Sequence, residues 1–373
     1  MAKQDEIKSI QDAIASAGFS WQPANNLFSG MSEQEKDKYL GYIPGPNDDS
    51  LEVQEKIGVE NYNLFKSSSS LSSFAAPAAL DWRNKDGQNF VTPVKNQASC
   101  GSCVAFGTAS SVESSVKIQR GAGYSIDLSE AHLFYCIARS QGRNCGYNND
   151  PKGGWWPEAA MIAFRDIGVT DEACYPYVAG DQDCTGRCAD WASRVTKITG
   201  YTKVSTIATI KEWIANNGPA EACFTVYQDF YSYSSGVYKK TSDVLRGGHC
   251  VCIVGYSDAE QCWICKNSWG TGFGESGYFK IGYGECGIEG QVYGVNGVFA
   301  DYQIIGKKIQ GLWANNENRN AWVFIEGNGW KKIANKNDNS FINILTELVA
   351  AKTAGANTNI YLVDNQVSTI YVF

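Results

Sequence analysis

Gln97-Ala98-Ser99-Cys100-Gly101-Ser102-Cys103-Val104-Ala105-Phe106 leads out of a glycine-broken loop into a helix expected to run from Ser102 to about Arg120. Ser102 is placed to cap that helix and Gly121 to end it. Cys103 then stands in the first turn, where about +0.5 of a unit charge favours a thiolate over a thiol. An imidazole beside it would lower the thiol pKa further and relay a proton to a leaving group. The chain has 2 histidines. His132 lies within a helical stretch, Leu128 to Leu133, and reads as a satisfied surface residue. His249 follows Gly247-Gly248 and opens a strand, from which a side chain can project into a cleft.

The organisation around these residues is α+β. Residues 1 to about 78 hold no cysteine. They read as a polar helix near Lys3 to Ala17, a second near Met31 to Leu40 with a Ser32/Glu35 capping box, and a flexible linker at Ser67 to Ser70. Helices are expected at Pro157 to Asp166 and Ile207 to Asn216. After Gly218-Pro219 the period becomes two, giving strands at Ala222–Tyr227, Gly236–Lys240, His249–Tyr256, Cys262–Asn267 and Gly277–Gly282. Helices first and strands second make a two-part α+β domain over residues 79–302. Residues 303–373, again without cysteine, read as a small α+β accessory domain. Its strands are expected at Ala321–Glu326, Trp330–Ile333, Asn359–Val363 and Ser368–Phe373, with a helix at Phe341–Ala354. Trp313, Trp322, Trp330, Tyr361 and Tyr371 there either fill a core or line a face for carbohydrate or protein.

Composition narrows the classes. With 43% apolar and 13% aromatic residues among 373, the chain is globular and long enough for about two domains. Its 32 basic and 39 acidic side chains give a net charge of −7, and no basic run interrupts them. Nucleic acid and an anionic membrane surface are therefore not expected partners. No apolar stretch is long enough to span a bilayer. The start, Met1 to Ile10, is polar and lacks the apolar core of a signal peptide. Thirteen cysteines, an odd number, point instead to disulfides plus at least one free thiol, and so to an oxidising compartment. A chain lacking its leader and export without one both reconcile the two.

Three blocks carry a family resemblance. Pro93 to Gln97 with Ser99 to Cys103 and Ala105-Phe106, then Gly247-Gly248-His249 with Val254-Gly255-Tyr256, then Lys266-Asn267-Ser268-Trp269-Gly270-Thr271-Gly272, resemble the active-site segments of papain-family cysteine proteases. His249 follows Cys103 by 146 residues and Asn267 follows His249 by 18. The resemblance covers about residues 80 to 298. It implies a papain-like two-lobed fold, a helical left lobe and a β-barrel-like right lobe, carrying the accessory domain behind it. It also implies an endopeptidase working through a thiolate–imidazolium pair and an acyl-enzyme, with no cofactor or metal. Cys103 would be nucleophile, His249 its partner, and Asn267 the group orienting the ring. Gln97 would supply a side-chain donor to the oxyanion and Trp269 would cover the His–Asn bond. Residues 1–78 would be a pro-segment inhibiting the same chain, which is read as a monomer acting on protein or peptide substrates. A secreted or lysosome-like setting follows.

The resemblance assigns substrate contacts to Gly153, Gly154, Trp155, Cys223, Cys250 and Trp269, with Gln291 at the floor of a subsite. It pairs Cys100 with Cys145, Cys136 with Cys184 and Cys174 with Cys188. Cys223, Cys250, Cys252, Cys262, Cys265 and Cys286 stay unassigned, several of them read as small buried hydrophobes. Two departures matter: Val104 stands where an aromatic usually follows the nucleophile, and Gly146 to Lys152 is inserted after Cys145. Residues 219–238 are most similar to the cathepsin B branch, yet no histidine lies between Cys174 and Cys188, so carboxy-terminal trimming is not implied. The competing readings are a catalytically inactive papain-like binding protein, a dithiol oxidoreductase using Cys100/Cys103, and a zinc ribbon using 100/103 and 262/265.

Overall fold

Small residues let the helix that begins at Cys103 be packed on every side. In a computed structural model describing residues 2–68, 76–146, 150–299, 302–315, 317–334, 337–363 and 366–373, residues Cys103 to Val116 of this helix are all buried. In chain order the elements of the first compact unit, Met1–Gly297, begin with α1 (Ala2–Ser16), β1 (Gln22–Pro23), α2 (Glu33–Asp37) and α3 (Leu51–Ser68). They continue through β2 (Ala79–Asp81), α4 (Cys103–Arg120), α5 (Pro157–Asp166), β3 (Lys197–Val204) and α6 (Ile207–Asn216). The strands β4 (Ala220–Tyr227), β5 (Tyr233–Ser235), β6 (Val237–Tyr238), β7 (Leu245–Ser257), β8 (Cys262–Lys266), β9 (Tyr278–Gly282) and β10 (Gln291–Phe299) complete it.

The main sheet runs β3-β10-β4-β7-β8-β9-β6, with β2 also on β7. Its centre, β4 and β7, pairs antiparallel with Cys223 opposite Cys250 and Phe224 opposite His249. All of β4 is buried, so Glu221 and Thr225 are enclosed along with its apolar residues and neither face of the strand meets solvent. Ile14, Trp21, Phe28, Tyr39 and Leu40 of the N-terminal segment join the same core as Phe224, Phe230, Trp269 and Phe273. The segment is therefore folded into the unit, not appended to it.

The second unit, Val298–Phe373, has its own core. It contains β11 (Tyr302–Ala314), β12 (Ala321–Ile325), β13 (Gly329–Ile333), α7 (Asp338–Ala354), β14 (Asn357–Val363) and β15 (Gln366–Val372). The five strands close into a barrel in the order β11-β12-β13-β15-β14, with β13 and β15 parallel. Helix α7 is capped by the Asn337 side chain and stopped by Gly355 at φ 61°.

Several local expectations are corrected. The second helix is confined to Glu33–Asp37, although its Ser32/Glu35 capping box is present. Ser67 and Ser68 close α3 rather than open a linker; Ser69 and Ser70 lie outside the described residues. Ser102 stands at the N-cap of α4 but makes no capping bond, because its hydroxyl pairs with Tyr177 Oη at 2.8 Å. His132 is not a surface residue. It is buried in a π-helical stretch, His132–Ala138, and burial pushes its imidazole down to about 4.

A buried charge cluster joins α4 to the residues before and after it. Lys95 Nζ lies 3.1 Å from Glu113, 2.8 Å from Glu130 and 2.7 Å from Asp127. Glu113 also accepts from Thr92 Oγ1, which in turn accepts from Lys266 Nζ at 2.9 Å. Burial pushes Glu130 up, whereas at Glu113 Lys95 and Lys266 outweigh burial and hold the carboxyl below its ordinary value. Lys95→Met should cost about 3–5 kcal/mol in urea unfolding, since it leaves a buried carboxylate without its cation. A loss under about 1 kcal/mol would mean that Lys266 alone suffices.

Candidate active site

Cys103 enters the site as the first residue of α4, behind a loop fixed by the Cys100–Cys145 disulfide. That bridge removes Cys100 as a redox or metal partner of Cys103. Cys103 Sγ accepts the Cys250 amide at 3.4 Å, and the Gly41 and Val104 amides also point at it. Burial nevertheless dominates and pushes the thiol up to about 12.

His249 reaches the site from β7, where it is buried. Its Nε2 lies 2.8 Å from Asn267 Oδ1, just beyond the end of β8. Asn267 Oδ1 also accepts the Ser268 amide at 2.8 Å, which fixes the amide group. Donation from Nε2 to that oxygen leaves Nδ1 as the nitrogen available to a thiol, and here it has no hydrogen-bond partner. The Trp269 ring covers the imidazole with centroids 4.5 Å apart. Burial lowers His249 to about 4 despite the Asn267 bond. Burial thus opposes the charged form of both the thiol and the imidazole in this closed state.

Gln97 presents the side-chain donor. Its Oε1 accepts from Ser268 Oγ at 2.7 Å, which aims Nε2 at the Tyr39 carbonyl, 3.0 Å away, and at Cys100 O, 2.9 Å away. Trp269 Nε1 also reaches the Tyr39 carbonyl at 3.4 Å. A backbone carbonyl of the N-terminal segment therefore occupies the Gln97 side-chain donor.

What buries the site is the chain from Tyr39 to Ile43. Gly41 and Tyr42 amides donate to Gly248 O at 3.1 and 3.0 Å, Trp155 donates to Gly41 O at 2.8 Å, and Ile43 donates to Trp155 O at 3.0 Å. Only glycine fits at position 41: a Cβ there would lie 2.0 Å from Gly101 O. Gly154, at φ 67°, faces the same strand, and its Cβ would meet Gly41 O at 2.3 Å. Phe28 of the same segment stacks edge-on against Trp269, centroids 4.9 Å apart.

The expected subsite residues converge in part. Trp155 and Gly154 flank the strand, whereas Gly153 pairs with Asn144, and the Arg143 guanidinium donates to both Gly153 O and Gly154 O. Cys223 and Cys250, whose pairing the sequence left unassigned, form a disulfide across β4 and β7. Gln291 is buried, donates to Asp48 Oδ1 at 3.0 Å and accepts from Tyr293 at 3.1 Å. Tyr42 packs its ring on Gly248 and donates to Gln54 at 3.1 Å. Glu221, which sequence reading passed over, lies near Tyr42 and Cys103. Its Oε2 accepts from Thr108 while Oε1 has no partner, and burial pushes it well above the carboxyl range. Tyr177, also passed over, anchors the nucleophile loop by donating to Gln97 O at 2.9 Å. Cys136–Cys184 and Cys174–Cys188 are bridged as expected, which makes four disulfides with the other two, a set that fits an oxidising compartment.

A thiol at a helix start, an imidazole held by an amide, and an amide donor beside them are the parts of a cysteine acyl-transfer enzyme. The model of the papain family cysteine protease matches residues 76–295, and the chain belongs to that family. It is 33% identical to mouse pro-cathepsin H over 279 residues, covering 72% of this chain and 75% of that one. It is 33% identical to the cathepsin B-like CP3 of Giardia intestinalis over 238 residues, 60% of this chain and 76% of that one. Among solved structures, digestive procathepsin L2 of Tenebrio molitor superposes with a TM-score of 0.62 at 30% identity, covering 79% of this chain and 90% of that one. The protein is a cysteine peptidase in zymogen form, with a papain-like fold and an intramolecular pro-segment at its N-terminus. No helix among the described residues is long and apolar enough to cross a membrane.

A thiol with a raised pKa stays protonated until the pH passes the raised value, and only thiolate is alkylated. In the full chain, Cys103 alkylation by iodoacetamide near neutral pH should be at least about a hundredfold slower than after pro-segment removal, and its rate should keep rising with pH beyond the ordinary thiol range. Equal rates in the two forms would show that the segment does not mask the thiol.

Proposed function

We propose that the protein is an endopeptidase in which Cys103 attacks the peptide carbonyl, His249 takes and returns the proton, Asn267 orients the ring and Gln97 steadies the oxyanion. The observation that supports this is the convergence of those four side chains on one point that a backbone strand, Tyr39 to Ile43, already occupies. An inactive binding protein would have no use for a segment that withholds the thiol. The site is complete within one chain, so a monomer is competent. Four disulfides support a secreted or lysosome-like setting.

The boundary of the pro-segment falls near residue 78, just before β2. Its docking rests partly on charge: Asp37 and Glu33 pair with Arg246 at 2.6 and 3.4 Å, Asp48 with Lys203 at 3.2 Å and Glu55 with Lys240 at 3.6 Å. Burial opposes ionisation of Glu33, but Lys36, Gln228 and Arg246 hold its carboxyl below the ordinary value. A depressed carboxyl contributes docking stability above its ordinary pKa and loses it as the pH falls through the lowered one. Acid should therefore shorten the wild-type chain by about 78 residues and switch on peptide hydrolysis. Cys103→Ala should stay full-length and inactive yet keep its melting temperature, while Cys100→Ala should lose stability with its bridge, by about 2–4 kcal/mol. Like behaviour of the two variants would refute the choice of nucleophile.

The same geometry supports an apolar preference two residues before the cut. Tyr42 occupies the region bounded by Gly248, Glu221 and Tyr293, where Gln291 offers a neutral amide. Burying a leucine or phenylalanine gains roughly 1.5–3 kcal/mol, whereas arginine would be desolvated against the Gln291 amide and beside Glu221, whose ionisation burial opposes. Substrates with Leu-Arg or Phe-Arg before the cleaved bond should exceed Arg-Arg in kcat/KM by at least about tenfold, roughly 1.4 kcal/mol. A preference for Arg-Arg would mean that Glu221 ionises against the incoming guanidinium.

A further inference from the structure

Three tryptophans of the C-terminal barrel stand outside it. Along β12, Ala321, Val323 and Ile325 are buried in the barrel, and the alternation turns Trp322 and Phe324 outward. Strand pairing then sets Trp313 opposite Trp322, Gly311 opposite Phe324, and Phe324 opposite Trp330. Trp313 and Trp330 keep 48% and 49% of their surface exposed, and the three indoles line a cavity of about 280 Å³. A barrel gains no core stability from indoles on its outer surface, and an exposed aromatic cluster of this kind marks a contact site.

The rings are also held in place. Trp322 Nε1 donates to Asn320 Oδ1 at 3.2 Å, and the Asn320 amide is itself tied to Asn315 at 3.1 Å and Glu317 at 2.7 Å. Trp330 meets Phe324 edge-on with centroids 5.4 Å apart. Its far edge lies over Gly311, where a Cβ would approach it to 3.2 Å. Fixed rings lose little freedom when a ligand arrives.

We propose that this face binds a neutral polysaccharide, with the apolar faces of its sugar rings stacked on Trp313, Trp322 and Trp330 and its hydroxyls met by the Asn315 amide beside them. Charge selects this ligand over a nucleic acid. Residues 298–373 carry 7 basic against 6 acidic side chains, and beside the indoles Lys332 is offset by Glu317. Stacked bases would bring phosphates that need several cations to neutralise them. Closure of the barrel argues against an extended peptide, because a closed sheet offers no free edge for strand addition. The proposal does not depend on the peptidase assignments.

The full-length zymogen, held near neutral pH, would be co-sedimented with insoluble cellulose, chitin and β-1,3-glucan, with fluorescent oligothymidylate as the rival probe. Retention on at least one polysaccharide, insensitive to salt and weakened about tenfold or more by Trp313→Ala and by Trp330→Ala, is expected. Hydrolysis of a small peptide by the activated variants should stay within about twofold of wild type, since neither residue belongs to the peptidase unit. Should an alanine variant misfold by near-ultraviolet circular dichroism, Trp313→Phe, which keeps a smaller apolar platform, should still weaken retention. The proposal fails if no polysaccharide is retained, if retention survives both tryptophan changes, or if oligothymidylate binds in their place.

Discussion

Four main-chain hydrogen bonds hold Gly41 to Ile43 across the cleft, and the chemistry of the zymogen depends on them. They join the segment to Gly248 on one wall and to Trp155 on the other, so the strand is fixed without any specific side chain. The missing side chains at Gly41, Gly154 and Gly248 allow that close approach. With the strand in place, water is excluded from Cys103 and His249, and exclusion penalises the charged form of each in opposite directions. The amides of Cys250 and Val104 already point at the sulfur, so the stabilisation a thiolate needs is built in. What the closed state lacks is solvent, not architecture.

The reactive machinery could be read from the sequence because its residues lie in local motifs with local causes. Gly121 ends α4 and Pro157 opens α5 as expected, and α6 stands at Ile207–Asn216 with Thr206 as its cap. Helix α3 escaped for an equally physical reason. Its Val53, Ile57, Val59 and Leu64 are exposed while Gln54 and Gly58 are buried and Tyr62 and Phe65 reach the core, so the aliphatic pattern does not mark the face that packs. Strand β11 escaped because register shifts near Ile304 and Ile309 interrupt its alternation. The Cys223–Cys250 bridge depends on the register of β4 against β7, which spacing alone does not give. Glu221 and Tyr177 carry no motif, and only the tertiary arrangement brings them to the site.

That bridge also bears on specificity. It ties the residue after His249 to the strand carrying Glu221, two positions before Cys223, so the imidazole and the subsite wall share one rigid ladder. Tyr42 fills the neighbouring space with an aromatic ring whose hydroxyl is satisfied from within the pro-segment, by Gln54. In the zymogen, Gln291 and Glu221 beside that ring are buried with it.

Five cysteines are free of disulfides, and Cys103 differs from the other four in what covers it. Cys252, Cys262, Cys265 and Cys286 are buried in the sheet region, and burial pushes all four thiols up, Cys252 and Cys262 to about 12. Cys103 is pushed up to the same value, so pKa in the closed form does not distinguish it. The difference lies in what does the burying. Cys252 and Cys265 are covered by paired strands of the core, and only unfolding exposes them. Cys103 is covered in large part by a segment that adds Trp21, Phe28 and Leu40 to the core and is tied by backbone bonds and ion pairs, but gives no strand to the main sheet, so its departure leaves the sheet pairing in place. Reactivity therefore follows from the removability of the cover, and the helix start beneath it determines that the thiol uncovered is one that can ionise.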